Sequence, residues 1–254
     1  MSGYIVFVLL SPILTLTSIA QVVGDKPAPT ALNEDIQQVQ DTGPARSGAA
    51  ASSTISVARL IVPRKAERLY VKALEAWTKQ AAAEAQRRLD QALRIDPNFP
   101  EALSLYGAIE AERQEWKLAE QHLQAAIQCD PSYSPAYIAL AEVYNRQTRF
   151  DDAQKVSDQA LSAGADSWIL SYEIARALIG RAQYQSALTV AETSLRSNEH
   201  GSLLHVAKAH ALLGLRKYPE AATELRAYLR DEPSGKGSQD ARNLLQRLQS
   251  LAPP

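Results

Sequence analysis

Small residues recur in this chain at a fixed spacing of 34 residues. The repeated alanines are Ala85, Ala119, Ala153, Ala187 and Ala221. Aromatic residues with the same spacing are Trp116, Phe150, Tyr184 and Tyr218, and prolines fit it, with two periods skipped, at Pro97, Pro131 and Pro233. A period of this length indicates a stack of equivalent supersecondary units, because each unit needs neighbours to bury its apolar face. The period therefore constrains the fold more strongly than any local pattern does.

One period, residues 100–133, has the pattern of two amphipathic helices joined by a short polar turn. The first apolar face contains Leu103, Tyr106, Gly107 and the aliphatic part of Glu110, and the second contains Trp116, Ala119, Leu123, Ala126 and Ile127. Because the connection is short, the two helices should pack as an antiparallel pair. We expect Gly107 and Ala119 to let the two backbones approach closely, and Trp116 to cover the crossing.

The ends of these helices have their own signals. Proline cannot continue a helix, so the second helix of this period is predicted to end at Asp130-Pro131. Ser134 and Pro135 predict the start of the next helix, with the Ser134 hydroxyl as its N-terminal cap and Pro135 in its first turn.

These features resemble the tetratricopeptide repeat family. The middle repeat follows the family pattern of large, small, aromatic and alanine positions with Tyr137, Leu140, Ala141, Tyr144, Phe150, Ala153 and Ala160. The resemblance covers residues 66–233 and divides the region into repeats at 66–99, 100–133, 134–167, 168–201 and 202–235. The fourth repeat is degenerate and lacks the proline, and the fifth has His205 and Lys208 where large apolar residues are usual. The resemblance implies an all-α fold, a right-handed α-solenoid of five helix hairpins.

A further helix is predicted at residues 238–251, after a flexible SGKGS break. Its apolar stripe consists of Ala241, Leu244, Leu245, Leu248 and Leu251. We expect Ser238 to cap this helix and the polar opposite face to close the end of the solenoid.

The front of the chain has a different character. Residues 1–20 contain an apolar run with small residues before Gln21, which indicates either a cleaved signal peptide or an uncleaved N-terminal anchor. Either interpretation places the repeats outside the cytoplasm. Residues 21–53, rich in Ala, Ser and Pro, are predicted to be a disordered spacer. Residues 54–65 are predicted to be an extended lead-in, either a simple connection or a strand that caps the first repeat.

Composition excludes some functions. The formal net charge is −1 and no basic block occurs, so a nucleic-acid partner is not expected. Cys129 is the single cysteine, which allows no internal disulfide; a buried structural thiol is favoured over a reactive or intermolecular one. We find no phosphate-binding loop, nucleophile elbow or metal-ligand spacing, so no catalytic residue, cofactor or metal is predicted, and an enzyme is not expected.

The resemblance also implies a binding surface, because the first helix of each tetratricopeptide hairpin lines a concave groove. Its predicted partner-binding residues are Tyr70, Leu74, Trp77, Ser104, Glu112, Ile138, Glu142, Asn145, Arg146, Tyr172, Arg176 and His210. Co-chaperone repeats that hold a C-terminal carboxylate use Lys and Asn in their opening repeats. The corresponding columns here hold Tyr70, Leu74, Ser104 and Ala108, so that activity is not expected.

This mixture of apolar and charged residues suits an extended or helical peptide, with apolar anchors and charges that set its direction. The alternatives are that some of these residues only pack between repeats, or that the N-terminal segment or a second copy fills the groove. The sequence therefore predicts an exported, bacterial-type, non-catalytic scaffold that binds a protein or peptide in the periplasm or secreted space. The alternative is a membrane-tethered architectural or self-associating subunit of an envelope assembly, which would contact the membrane only through an uncleaved anchor.

Overall fold

A computed structural model describes residues 62–197, 201–235 and 237–251, and these residues form eleven helices and no strand. The helices are α1 (Arg64–Thr78), α2 (Ala82–Ile95), α3 (Pro100–Glu112), α4 (Trp116–Cys129), α5 (Ser134–Arg146), α6 (Phe150–Ser162), α7 (Trp168–Gly180), α8 (Tyr184–Ser197), α9 (Ser202–Gly214), α10 (Tyr218–Asp231) and α11 (Ser238–Leu251). The predicted all-α fold is confirmed. None of the helices in these ranges has the length and apolar character needed to cross a bilayer. The predicted signal peptide or anchor, the spacer and most of the lead-in lie outside the described residues.

The helices divide between two compact units. One contains α1 and α2, which pack together as a hairpin through the fully buried Ala66, Ala73, Ala85 and Leu89. Helix α1 begins at Arg64, inside the range predicted as extended, because the backbone carbonyl of Pro63 already accepts hydrogen bonds from Ala66 and Glu67.

The other unit contains α3 to α11. Successive helices pack as hairpins, α3 with α4, α5 with α6, α7 with α8 and α9 with α10, and α11 packs on α10. The first helices also pack on one another, α3 on α5, α5 on α7 and α7 on α9. The periodic alanines of this unit, Ala119, Ala153, Ala187 and Ala221, have no exposed surface, as expected for residues at helix crossings. An added Cβ on Gly107 would lie 2.7 Å from Leu123 Cγ, so the predicted close approach at this glycine is present.

The periodic aromatic residues also pack on the following hairpin. A Cβ on Gly180 would lie 2.4 Å from the ring of Phe150, and one on Gly214 would lie 2.3 Å from the ring of Tyr184. Each ring therefore occupies the space left by a glycine at the end of the next first helix. Trp116 is the first aromatic residue of this series. The position equivalent to the two glycines is Arg146 in the next repeat, and its guanidinium lies 5.3 Å from the Trp116 ring centroid. The aromatic side chains thus fix the contact between neighbouring repeats.

The turns inside the hairpins share a left-handed residue. Positive φ angles of 59° to 61° occur at Gln80, Gln114, Thr148, Ala182 and Arg216, again at a spacing of 34 residues. This conformation reverses the chain within a turn of only three residues.

Three local predictions were wrong. Ser134 is the first residue of α5 and makes no capping hydrogen bond. Instead, Asp130 Oδ1 accepts hydrogen bonds from the backbone nitrogen and the hydroxyl of Ser132, and this turn precedes the helix. Ser238 likewise lies inside α11, where its buried hydroxyl donates to the carbonyl of Glu232 at 2.5 Å. Cys129 is partly exposed rather than buried, because it is the last residue of α4 and lies beyond the crossing that buries Ala126.

Candidate functional site

Most of the predicted partner-binding residues lie on the first helices of the larger unit. We call this set the first-helix face, and it consists of Ser104, Glu112, Ile138, Glu142, Asn145, Arg146, Tyr172, Arg176 and His210. Because α3, α5, α7 and α9 pack on one another in that order, the face is continuous across four hairpins. The other three predicted residues, Tyr70, Leu74 and Trp77, lie on α1 in the smaller unit.

Much of the first-helix face is sheltered from solvent. Ser104, Ile138, Glu142, Asn145, Tyr172 and Arg176 are buried, whereas Glu112, Arg146 and His210 are partly exposed. On α1, Tyr70 is buried and Leu74 and Trp77 are partly exposed. Charged side chains in such surroundings interact more strongly than they would in water.

A buried ion pair between Glu173 and Arg176 lies on α7, and Asn145 of α5 is hydrogen-bonded to it. Glu173 has no exposed surface, and its two carboxylate oxygens accept hydrogen bonds from Arg176 Nη1 at 3.0 and 2.9 Å. Asn145 Nδ2 donates to Glu173 Oε2 at 2.8 Å and to the backbone carbonyl of Glu173 at 2.9 Å. The carboxylate is therefore both neutralised and hydrogen-bonded, as a buried charge requires.

Sequence reasoning missed Glu173. Its position on α7 is one that the repeat pattern assigns to packing, and a glutamate there gives no periodic signal. The one local sign was Arg176 three residues later, a spacing that places two side chains on the same side of a helix.

A second charged group lies between α3 and α5. Arg146 Nη1 is 3.6 Å from Glu142 Oε1 and 3.9 Å from Glu112 Oε1, so the ions attract each other without forming a close hydrogen bond. Within the described residues, these three atoms and the Oδ1 atom of Asn145 have no hydrogen-bond partner, although each is buried. We call Glu112, Glu142, Asn145 and Arg146 the Glu142 cluster.

The environment changes the protonation of Glu142. Burial raises the pKa of Glu142 to about 8, and the negative charges of Glu173 and Glu112 act in the same direction. The positive charges of Arg176 and Arg146 oppose this shift without cancelling it. Glu142 therefore holds a proton over much of the neutral pH range.

The neighbouring groups have shifted pKa values too. Burial raises the pKa of Tyr172. Burial disfavours the charge of Arg176, but Glu173, Tyr172 and Glu142 together outweigh this effect, so the pKa of Arg176 is raised. Burial and the charge of Arg176 lower the pKa of His210 to about 4, so this imidazole is neutral at physiological pH. His210 also lines a small cavity with Val206, Leu225 and residues at the start of α11.

The unusual polar residues of the fifth repeat have partners of their own. His205 Nδ1 lies 2.6 Å from Glu224 Oε2, and Lys208 Nζ lies 2.9 Å from Glu224 Oε1 and 3.6 Å from Glu192 Oε1. The pKa of Glu224 is lowered overall. Burial alone would raise it, but the hydrogen bonds and positive charges of His205 and Lys208 outweigh this effect. These contacts join α9 to α8 and α10, so they replace apolar packing between helices. They are separate from the first-helix face.

No group of three or more His, Cys, Asp and Glu side chains in the parts of the chain described here is arranged to hold a metal ion. The chemistry that the first-helix face offers is recognition through apolar contact, hydrogen bonding and charge.

Comparison with known proteins agrees with this architecture. Two tetratricopeptide repeat models match the sequence, one over residues 66–134 and the other over residues 110–170. No curated protein has a significantly similar sequence.

Several solved structures are similar in fold. A thermophilic TPR protein of Thermus thermophilus has a TM-score of 0.63 at 16% identity, covering 73% of this chain and 99% of that one. The pilF protein of Pseudomonas aeruginosa has a TM-score of 0.63 at 18% identity, covering 74% and 84%. PilW, a widely conserved type IV pilus biogenesis factor, has a TM-score of 0.62 at 13% identity, covering 73% and 91%. Similarity at this level of identity shows the shared fold.

Proposed function

This chain is a tetratricopeptide repeat protein, and we propose that it is a non-catalytic scaffold whose first-helix face binds a segment of a partner protein. The observation that carries this proposal is the set of buried polar atoms on that face that have no hydrogen-bond partner among the described residues. Leaving such atoms unpaired costs about 1–3 kcal/mol each, so a ligand that pairs them gains binding energy.

The shape of the face supports a peptide rather than a small molecule. Its residues extend over the first helices of four successive hairpins and include both apolar side chains, such as Ile138 and Tyr172, and charged ones. Apolar anchors along such a strip give affinity, and the charges set the direction of the bound segment.

A site-specific crosslinking experiment tests this proposal. A photoreactive amino acid replaces the partly exposed Glu112 on the first-helix face, or the exposed Leu161 on α6 as a control. We expect a discrete crosslinked partner from position 112 alone, and we expect a peptide taken from that partner to compete for it. Equal crosslinking from both positions, or no competition by the peptide, would place the binding surface elsewhere.

A pair of matched variants separates binding from folding. Glu142→Gln/Arg146→Gln removes two charges from the first-helix face while keeping polar side chains, and Glu220→Gln/Arg226→Gln makes the same changes at exposed positions on α10. We expect only the first pair to lose the partner, while both variants keep the circular dichroism spectrum and the cooperative thermal unfolding of a folded helical protein. Arg176→Ala is less suitable, because it would leave Glu173 buried without its counter-ion.

We further propose that the protein works in the cell envelope or is secreted. The support is the apolar run in residues 1–20, which has the pattern of a signal peptide or anchor. Fractionation of cells, with the N-terminus of the mature protein determined by mass spectrometry, distinguishes cleavage from anchoring. Recovery of the uncleaved chain in the cytosolic fraction would contradict this location.

The alternative function is an architectural or self-associating subunit of an envelope assembly. Light scattering over a range of concentrations distinguishes it, because self-association through the first-helix face gives a mass that rises with concentration. Glu142→Gln/Arg146→Gln should then change that mass, whereas a peptide-binding scaffold should remain monomeric with or without these substitutions.

A further inference from the structure

This inference rests on the proposed function and specifies the segment that is bound. We propose that the Glu142 cluster takes the basic side chain, lysine or arginine, of a partner segment that lies on the first-helix face. Glu112 and Glu142 would accept hydrogen bonds from the cation, and Asn145 would orient it.

The hydrogen-bonding capacity of the cluster points to a donor-rich ligand. Three of its four unpartnered buried atoms are acceptors, namely Glu112 Oε1, Glu142 Oε1 and Asn145 Oδ1, and only Arg146 Nη1 is a donor. The orientation of the Asn145 amide is fixed, because its nitrogen donates to two oxygens of Glu173. Asn145 therefore presents an acceptor to the cluster. A lysine ammonium has three donors and an arginine guanidinium has five, whereas a carboxylate has none.

The charge of the cluster points in the same direction. Arg176 is committed to Glu173, with which it forms two hydrogen bonds. Glu112 and Glu142 remain, and they share the single cation of Arg146 at 3.9 and 3.6 Å. When both glutamates are ionised, the cluster carries one uncompensated negative charge, which a basic side chain would neutralise.

The protonation of Glu142 supports this assignment. Burial and the neighbouring carboxylates raise its pKa to about 8, so in the absence of a ligand a proton supplies the missing positive charge. An ammonium or guanidinium group would take the place of that proton. Binding should consequently release a proton near neutral pH.

A partner segment fits these observations better than a free amine does. Ile138 and Tyr172 belong to the same face and are almost fully buried, so the cluster lies beside apolar side chains. The face also continues to α7 and α9, beyond the reach of a small amine bound between α3 and α5.

The test uses the full-length protein and a set of fluorescent peptides with blocked ends. Each peptide has the same leucine- and tyrosine-containing host sequence, and the central residue is lysine, arginine, norleucine, glutamine or glutamate. We expect lysine and arginine peptides to bind at least about tenfold more tightly than norleucine, and the glutamate peptide to bind most weakly.

Two variants connect this preference to the cluster. Glu142→Gln and Glu112→Gln should each reduce the preference for lysine over norleucine to about threefold or less, because an uncharged amide attracts the cation weakly. Glu220→Gln removes the same charge at an exposed site on α10 and should leave the preference unchanged. Circular dichroism confirms that each variant is folded.

The pH dependence gives a readout that a purely structural role would not change. Affinity for the lysine peptide should rise between pH 6.5 and 8, by up to about tenfold per pH unit, because ionised Glu142 binds the cation better than protonated Glu142 does. The groups that face Glu142 are Glu112 on α3, Arg146 on α5, and Tyr172, Glu173 and Arg176 on α7. The pKa of Glu142, at about 8, lies at the upper end of this interval. Glu142→Gln should therefore remove the rise.

The remaining outcomes separate the two proposals. Peptides that bind equally well whatever their central residue, or best with glutamate, would overturn the basic-side-chain assignment and leave the scaffold proposal standing. If n-butylamine alone bound the cluster as tightly as the lysine peptide does, the occupant would be a free amine and not a peptide. Both proposals would be overturned by two results together. The peptides would still bind to Glu142→Gln/Arg146→Gln, and no crosslink would form from position 112.

Discussion

At the residue scale, the titration of Glu142 should be visible in the stability of the ligand-free protein. Its pKa is raised from an ordinary 4.5 to about 8 in the folded state, chiefly by burial. Between these values the folded protein binds more protons than the unfolded chain, so this residue makes stability fall as pH rises. The loss is complete above the folded pKa.

Glu142→Gln should remove that loss, because the amide is already neutral. We expect the variant to be more stable than the wild type by at least about 1 kcal/mol at pH 8.5 and to differ little at pH 4.5. Urea denaturation at several pH values measures this difference, with Glu220→Gln as the exposed control. Parallel stability curves for the variant and the wild type would show that Glu142 ionises normally.

The sequence predicted these residues unevenly. Ala119 and Gly107 were predictable because close helix crossings require small side chains, and such crossings recur with the repeat. Glu142 and Asn145 were predicted as partner-binding residues from the repeat columns alone. Their chemistry was not predictable, since it depends on Glu173, a residue on another helix that only the packing of α5 on α7 brings into contact.

At the scale of single elements, the turn between α5 and α6 contains strain that a substitution can relieve. Thr148 has a φ of 59°, and a β-branched residue is disfavoured in this left-handed region by about 1–2 kcal/mol. Thr148→Gly should therefore stabilise the protein by about 0.5–1 kcal/mol, after allowance for the greater freedom of glycine in the unfolded chain. Thermal unfolding measures the change.

A matched control is Thr189→Gly, at an exposed position inside α8 where the backbone is already helical. This substitution should destabilise the protein by a few tenths of a kcal/mol, because glycine is a poorer helix former than threonine. A loss of stability at both positions would contradict the strain at Thr148.

The contact between neighbouring hairpins depends on a glycine and an aromatic ring. A Cβ at position 180 would lie 2.4 Å from the Phe150 ring, closer than real atoms approach. Gly180→Ala should therefore cost about 1–3 kcal/mol, even though alanine is the better helix former. In a double variant that also carries Phe150→Leu, part of this loss should be recovered. Equal losses in the single and double variants would show that the ring is not the obstacle.

The sequence located the elements better than it assigned their ends. The 34-residue period predicted a succession of helix hairpins because it reflects packing that recurs, whereas the prolines mark only three of the five periods. The left-handed turn residues could not be identified, since Gln114, Thr148 and Ala182 share no side-chain property that marks this conformation. Ser134 and Ser238 have the sequence pattern of caps, but each is the first residue of its helix, one position past the N-cap, and the Ser238 hydroxyl donates to the carbonyl of Glu232 instead.

At the scale of the whole molecule, the contacts of the larger unit are those of a linear stack. Each of its helices packs on elements next to it in the chain or on the equivalent helix of the next hairpin. Stability in such a stack is approximately the sum of individual hairpins and their interfaces, so a terminal element affects mainly its neighbour. The end of this unit is covered by α11, as the sequence predicted from its one-sided apolar stripe.

Removal of α11, by ending the chain after residue 235, should expose apolar residues that the helix covers. Helix α11 packs on α10 and buries its own Ala241 and Leu248, while Leu225 and Tyr228 of α10 are almost fully buried in the complete structure. We expect the truncated protein to melt at least about 5 °C lower and to self-associate as its concentration rises, since the newly exposed surface is apolar. Differential scanning calorimetry and light scattering measure both effects.

Gln246→Asp, a charge change at an exposed position of the same helix, should alter neither property. A truncated protein that stays monomeric with an unchanged melting temperature would show that α10 already ends the stack, and that the stripe on α11 has no structural role.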